Sequence, residues 1–251
     1  MFNEYPDFFA RFYDFIYHHI RDGADNEYYI KRIRNTSGKV LEVGTGTGRL
    51  FLEALEGGAN IYGIDISPSM LDVLRTKLSE KQQQRISLQN IIDFRFSTKF
   101  GLIVAPFRVF MHLTEISDQL SALNNVYDHL KSGGEFIFDT FIPDLKQLIH
   151  RLDNFTDFDR EYQPGDRLKR TVSTHPDLVN QIINLTFLIE WNEGNKHFSG
   201  EWNSQMRYFF RFELEHLLER SLFDEYQIAG DFKGSPLDDN SRDFVVTCKK
   251  R

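Results

Sequence analysis

The sequence predicts an α/β fold in which an open, mostly parallel sheet carries helices on both faces. Three observations predict it. An apolar strand, Val40 to Val43, runs into a glycine-rich turn and opens a helix. A second apolar run, Ile61 to Ile66, leads into a helix with a cap at its start. Two further buried strands, 100–105 and 135–140, flank another amphipathic helix. Strands that alternate with helices pair in parallel, because a parallel connection needs a crossover long enough to be a helix.

Taken in order, Phe8 to Ile20 reads as an aromatic helix and Glu27 to Arg34 as a second, shorter one. The helix after the first strand runs from Arg49 to Glu56 and stops at Gly57-Gly58. Ser67 caps the next helix and Pro68 takes its first position. Met70, Leu71, Leu74 and Leu78 give that helix one apolar face. A weak strand is expected at 86–91. Thr114 is expected to cap a helix with apolar positions Ile116, Leu120, Leu123, Val126, Tyr127 and Leu130, ended by Gly133-Gly134.

From about Asp153 to Phe210 the α/β rhythm breaks. Ile183, Leu185, Phe187, Ile189 and Trp191 alternate with mostly polar neighbours, the pattern of a strand with one buried face. Glu193-Gly194-Asn195 is a turn, and Lys196 to Phe210 returns as one strand or two. Leu168 to Thr174 is a third. The reading is one domain over 1–251, with 153–210 an antiparallel insertion after the fifth strand that covers the site. A helix at 212–222 and strands near 225–232 and 243–249 close the main sheet.

The glycine turn defines the ligand. Residues 40–48 read Val-Leu-Glu-Val-Gly-Thr-Gly-Thr-Gly, so Gly44, Gly46 and Gly48 let a ligand lie against backbone. The spacing differs from the Gly-x-Gly-x-x-Gly of dinucleotide folds. Glu42, at the lip of the strand, repels phosphate and attracts a cation. S-adenosylmethionine carries a sulfonium and an ammonium and has no phosphate, so it suits this turn better than NAD. Asp65 follows the glycines by roughly 20 residues, where an acid accepts from both ribose hydroxyls.

With these motifs the chain resembles the class I S-adenosylmethionine-dependent methyltransferases. Val40 to Gly48 is similar to their first motif, and Asp65 with Ser67-Pro68-Ser69-Met70 to their second. The likeness continues through 89–94, 102–113 and 130–139, covering residues 10–142 closely. Within the class, the layout is most similar to the glycine N-methyltransferase and amino-sugar N,N-dimethyltransferase groups. The resemblance implies a Rossmann-like seven-stranded sheet and S-adenosylmethionine as cofactor. It implies cofactor contacts from Thr45, Ile66, Met70 and Ala105, and from Ile91 through its backbone N–H. Asn90 stands where relatives usually carry Asp; its side-chain oxygen still accepts a hydrogen bond. Gly101 replaces an acid common in relatives.

Methyl transfer is a displacement on an already activated carbon, so catalysis is mainly positioning and exclusion of water. Tyr13 and Tyr17 share a helical face and either face the acceptor or pack against the sheet. His112 follows the fourth strand, as a base for the acceptor proton or as a packing residue. Arg108 pairs either an acceptor anion or a neighbouring acid. Trp202 and Tyr208 either line the acceptor pocket or pack within the insertion. No metal is called for.

Composition excludes several classes. A formal charge of −7 argues against a nucleic-acid binder, whose basic face is missing; the only basic run is Lys249-Lys250-Arg251. The single cysteine, Cys248, allows no intrachain disulfide and fits a reducing compartment. No apolar run has the length of a membrane span. The expectation is a cytoplasmic methyltransferase for a small-molecule acceptor at nitrogen or oxygen, monomeric or homodimeric. A noncatalytic cofactor-binding module and an NAD-dependent oxidoreductase are the competing readings.

Overall fold

The structure, a computed structural model, describes residues 4–20 and 23–251. Two helices, α1 (Asp7–Ile20) and α2 (Ala24–Arg34), precede the sheet. The chain then runs β1 (Lys39–Val43), α3 (Arg49–Glu56), β2 (Asn60–Asp65), α4 (Pro68–Thr76), α5 (Glu80–Gln83) and β3 (Ile86–Leu88). It continues through β4 (Phe100–Ala105), a 3-10 turn at Val109–His112, α6 (Ile116–His129), β5 (Leu130–Phe141) and α7 (Leu145–His150). An antiparallel set follows: β6 (Leu152–Gln163), β7 (Asp166–Asp177), β8 (Ile182–Glu193) and β9 (Lys196–Arg207). Then α8 (Arg211–Glu219), β10 (Glu225–Ala229) and β11 (Asp243–Lys249) complete the fold.

The main sheet has seven strands in the order β10-β11-β5-β4-β1-β2-β3. β1 pairs in parallel with β2 on one side and β4 on the other. Only β11 runs against its neighbours β5 and β10. The chain therefore steps outward from β1 in both directions, and the crevice at the strand ends beside β1 is where such sheets hold ligands.

Period-two alternation splits the sheet's side chains between two cores. Leu102 and Val104 of β4 join Val40 and Ile137 on one face, under α2, α3 and α4. Ile103 and Ala105 join Leu41, Phe136 and Phe138 on the other, under α6 and α8. A third core lies between α1 and the antiparallel sheet: Phe9, Phe12 and Ile16 meet Phe158, Leu168, Ile189 and Trp202.

Ser67 caps α4 as expected, its hydroxyl accepting from Met70 N–H, an arrangement that contributes about 1 kcal/mol. Other boundaries moved. Glu115, not Thr114, precedes α6, and Ile116 is exposed. The buried face of α6 is carried by Gln119, Ala122, Leu123, Asn125, Val126 and His129. Three of those are polar, so a purely apolar count misplaced the stripe. The helix ends at His129, and Gly133-Gly134 lies inside β5. A Cβ on Gly134 would come within 2.9 Å of Lys131 carbonyl oxygen, at the point where the β4–β5 register shifts. β3 stops at Leu88, short of 91. β6 had no apolar signal: Phe158 is its single buried residue, and three register shifts interrupt its pairing with β7.

Candidate functional site

A cavity of about 320 Å³ opens at the C-terminal edge of the main sheet, within the usual size range of small-ligand sites. Segments far apart in sequence build it. Val43, Gly44 and Gly46 come from the end of β1, and Asp65, Ile66 and Met70 from the end of β2 and the start of α4. Gln89, Asn90 and Ile91 follow β3, and residues between Phe107 and Asp118 follow β4. Tyr5 and Tyr13 reach in from the N-terminal segment, and Gln205 from β9.

The glycine turn has two kinds of glycine. Gly44 sits against Val109, where a Cβ would meet Cγ2 at 2.4 Å, and Gly48 against Leu74 at the same distance. Protein atoms, rather than a ligand, require those two. Gly46 has φ +54°, and a Cβ there would find nothing closer than Gly44 carbonyl oxygen at 4.0 Å, so its open side belongs to the cavity. This is a cradle into which a ligand can settle against bare backbone.

Asp65 is anchored for a ligand at the cavity edge. One carboxylate oxygen accepts from Gly46 N–H at 2.8 Å and the other from Ser67 N–H at 2.8 Å. Burial raises its pKa, while the Ser67 and Gly46 amides pull it back. Each oxygen keeps a lone pair for a ribose hydroxyl. Asn90 also lines the cavity, although its side-chain oxygen already accepts from Ile92 N–H at 3.2 Å. The lining combines an accepting carboxylate, a bare glycine and apolar walls from Ile66, Met70 and Ile91, the kinds of surface that an adenosine calls for.

Glu42 is not at the lip. It is 1 % exposed, and its carboxylate accepts from Thr45 Oγ1 at 3.3 Å beneath the turn. Burial holds its carboxyl well above the usual carboxylate range, the Thr45 hydroxyl opposing. Strand register explains the displacement: Glu42 pairs with Gly63 and Val104 in mid-sheet. Thr45 is buried under the turn, and Ala105 ends β4 inside the core.

The loop after β4 is held in a strained shape. Phe107 and Arg108 have φ +60° and +67°, unusual for residues with side chains. Asp139 of β5 holds them, accepting from Phe107 N–H at 2.9 Å, Arg108 Nη1 at 3.4 Å and Tyr29 Oη at 2.6 Å. Burial raises the Asp139 pKa, and Arg108 is the strongest opposing influence. Arg108 also bonds Asp243 at 2.6 Å. It is the partner of two acids, and it does not line the cavity.

His112, at the end of that loop, does line it. Burial lowers its pKa, partly offset by a hydrogen bond to the Gln205 backbone. The imidazole is thus a neutral group at pH 7, oriented by β9. Tyr13 lines the cavity and stacks on Tyr17, ring centroids 4.3 Å apart. Tyr17 is one layer out, under the Arg170 guanidinium. Asp14, beside Tyr13, accepts from Thr47 Oγ1 at 2.6 Å and from Lys77 Nζ, which ties α1 across the glycine turn.

Two insertion residues take the packing alternative. Trp202 is packed by Tyr5, Phe9 and Phe187 in the α1 core, and Tyr208 is 2 % exposed in the main core. Sequence reasoning missed Tyr5, Gln205 and the Thr114–Asp118 stretch. Position directly after His112 was a usable signal for the last; nothing marked the first two.

Residues 40–134 match the model of the methyltransferase domain. Over that stretch the chain resembles the S-adenosylmethionine-dependent methyltransferases. The matched segment runs from β1 into β5 and includes every cofactor-side segment of the cavity. Among relatives, a glycine/sarcosine N-methyltransferase of Aphanothece halophytica is 25 % identical over 99 % of this chain and 90 % of its own. A cypemycin N-terminal methyltransferase of Streptomyces sp. is 22 % identical over 95 % and 94 %. The solved sugar N-methyltransferase from Streptoalloteichus sp. superposes with a TM-score of 0.76 at 16 % identity, covering 100 % of this chain and 94 % of that one. At that identity the likeness carries the fold.

Proposed function

We propose that this methyltransferase acts on a small-molecule acceptor, at nitrogen or oxygen. The observation that carries the reading is the shared cavity: Gly46 and Asp65 on the cofactor side, Tyr13 and His112 on the same wall system. When bound, S-adenosylmethionine supplies a methyl group whose carbon–sulfur electron pair stays on the departing thioether, S-adenosylhomocysteine. Asp65 would hold the ribose, and the backbone at 44–46 would support the bound cofactor. His112, whose pKa is lowered by partial burial, takes the acceptor proton. Tyr13 orients the acceptor. The antiparallel sheet covers the site through Gln205 and through α1, which it carries, and so excludes water.

The names of the relatives support a small acceptor: glycine or sarcosine, the N-terminus of cypemycin, and a sugar. Among the described residues no helix is long and apolar enough to cross a membrane. The test is calorimetric binding of S-adenosylhomocysteine, then its release during incubation of S-adenosylmethionine with amines, amino sugars and hydroxylated metabolites. Binding with stoichiometry near one and turnover on a member of the panel are expected. Binding without turnover on any of them would favour a noncatalytic module, and NADH binding in its place would end the reading.

A further inference from the structure

The charges around the cavity say which kind of acceptor belongs there. Three carboxylates line it: Asp65, Glu115 and Asp118. Among the described residues, no lysine or arginine does. Glu115 and Asp118 lie on the same short segment as His112, and neither takes part in an ion pair among the described residues.

Arginines do stand next to lining residues, but each is already neutralised. Arg49 lies over the Phe107 ring at 3.5 Å and pairs with Asp25 at 3.2 Å. Arg108 pairs with Asp139 and Asp243. Arg207 reaches the Thr114 carbonyl and pairs with Glu213 at 2.8 Å. Turning any of them toward an incoming anion would strand a carboxylate that is partly or fully buried, a heavy cost. The tyrosines add a second preference. Tyr5 and Tyr13, edge to face with centroids 6.0 Å apart, both line the cavity, and aromatic faces attract ammonium groups.

We infer that the acceptor is a protonated amine with no carboxylate or phosphate beside its nitrogen, drawn in by Glu115, Asp118 and the Tyr5–Tyr13 wall. The inference rests on the methyltransferase reading and narrows it. The ammonium gives one proton to His112, and the freed lone pair then bonds the methyl carbon as the carbon–sulfur bond breaks. The product leaves as a methylated ammonium, and His112 returns its proton to solvent. An amino acid such as glycine fits badly, because its carboxylate has no cation to meet.

The test uses matched pairs on protein saturated with S-adenosylhomocysteine, read by calorimetry: 2-phenylethylamine against phenylalanine, tyramine against tyrosine, and glucosamine against glucosamine 6-phosphate. In at least one pair the amine should bind about tenfold tighter than its anionic partner, the size of one local charge interaction. The double variant Glu115→Gln/Asp118→Asn should shrink that preference to about twofold or less while S-adenosylhomocysteine affinity stays within about twofold. Anionic partners that bind as tightly as the amines would overturn the inference, as would an unchanged preference in the double variant. Failure of every amine to bind the loaded protein would overturn it too. Failure of S-adenosylhomocysteine itself to bind would instead remove the underlying reading.

Discussion

Asp139 accepts the backbone N–H of Phe107 at 2.9 Å, so a residue buried in β5 dictates the shape of the loop that presents His112. The same carboxylate meets Tyr29 and Arg108, and its side chain is wholly inaccessible. Loop geometry at this site is therefore set from inside the sheet.

Asp139→Asn should destabilise the protein by about 2–4 kcal/mol, because Arg108 loses a charge partner and one buried donor loses its acceptor. Urea unfolding measures the loss. Turnover should fall further than the loss of folded protein explains, since Phe107 and Arg108 would relax from their left-handed conformations. Unchanged turnover per folded molecule would show that the loop holds itself.

The glycines of the turn should separate by property. Gly46→Val puts its branches into the cavity and should abolish S-adenosylhomocysteine binding, with a modest strain cost of about 1–2 kcal/mol for a side chain at positive φ. Gly44→Ala drives a Cβ into Val109 and should mainly lower stability. Calorimetry and thermal unfolding on both variants distinguish the two roles. Asp65→Ala should also remove binding, by deleting the clamped carboxylate.

Glu42 carries a pH signature. Its folded carboxyl holds a proton more firmly than the unfolded chain does, so its contribution to stability falls as pH climbs from about 4.3 through the raised folded value. Glu42→Gln has no such loss. The variant should gain on the wild type in urea titrations as pH rises above about 4.3, until the folded carboxyl ionises. A gap that is flat, or that narrows with pH, would mean the carboxylate is charged in the folded state.

For His112 the shift has the opposite chemical consequence. A lowered pKa keeps the base neutral further into acid, so the acidic limb of kcat/KM should fall below the ordinary histidine value of about 6.5. Stability from this residue is complete above about pH 6.5 and declines as pH drops toward the folded pKa. His112→Asn should lower turnover by about a hundredfold or more, with cofactor affinity within about threefold. Tyr13→Phe separates hydroxyl from ring: a large loss of turnover means the hydroxyl orients the acceptor.

Gly200 of β9 is a seat for Phe8, whose ring atoms would lie 2.7–2.8 Å from a Cβ at that position. Gly200→Ala should push α1 off the antiparallel sheet and weaken both cofactor and acceptor binding, since Tyr13 moves with it. Trp202→Ala, which empties the same core, should cost about 3–5 kcal/mol. A Gly200→Ala protein with unaltered cofactor affinity would show that the Phe8 seat is not what holds α1 in place.

Much of this architecture was legible because periodicity and caps are local. The β1 turn, Asp65 and the Ser67 cap are written in short strings, and each lands where those strings put it. The site as a whole was less legible, since side-chain direction depends on register. Glu42 reads as a rim acid in one dimension, yet pairing with Gly63 and Val104 sinks it under Thr45. Arg108 offers a charge in sequence, and only tertiary structure supplies Asp139 and Asp243 to absorb it. β6, rich in acids and given no strand of its own by the sequence pattern, becomes a strand beside β7. Tyr5 and Gln205 are separated by almost the whole chain and carry no local mark.

The third core has a consequence for biosynthesis. Phe9, Phe12 and Ile16 of α1 are made well before their partners Ile189 and Trp202, which lie 173 to 193 residues further along the chain. On the ribosome the helix leaves the exit tunnel with an apolar face and must wait for nearly two hundred further residues. Throughout that interval the nascent chain exposes the aromatic surface that chaperones recognise and that drives premature association. The ligand cavity, walled by both Tyr13 and Gln205, stays incomplete until β9 has been made.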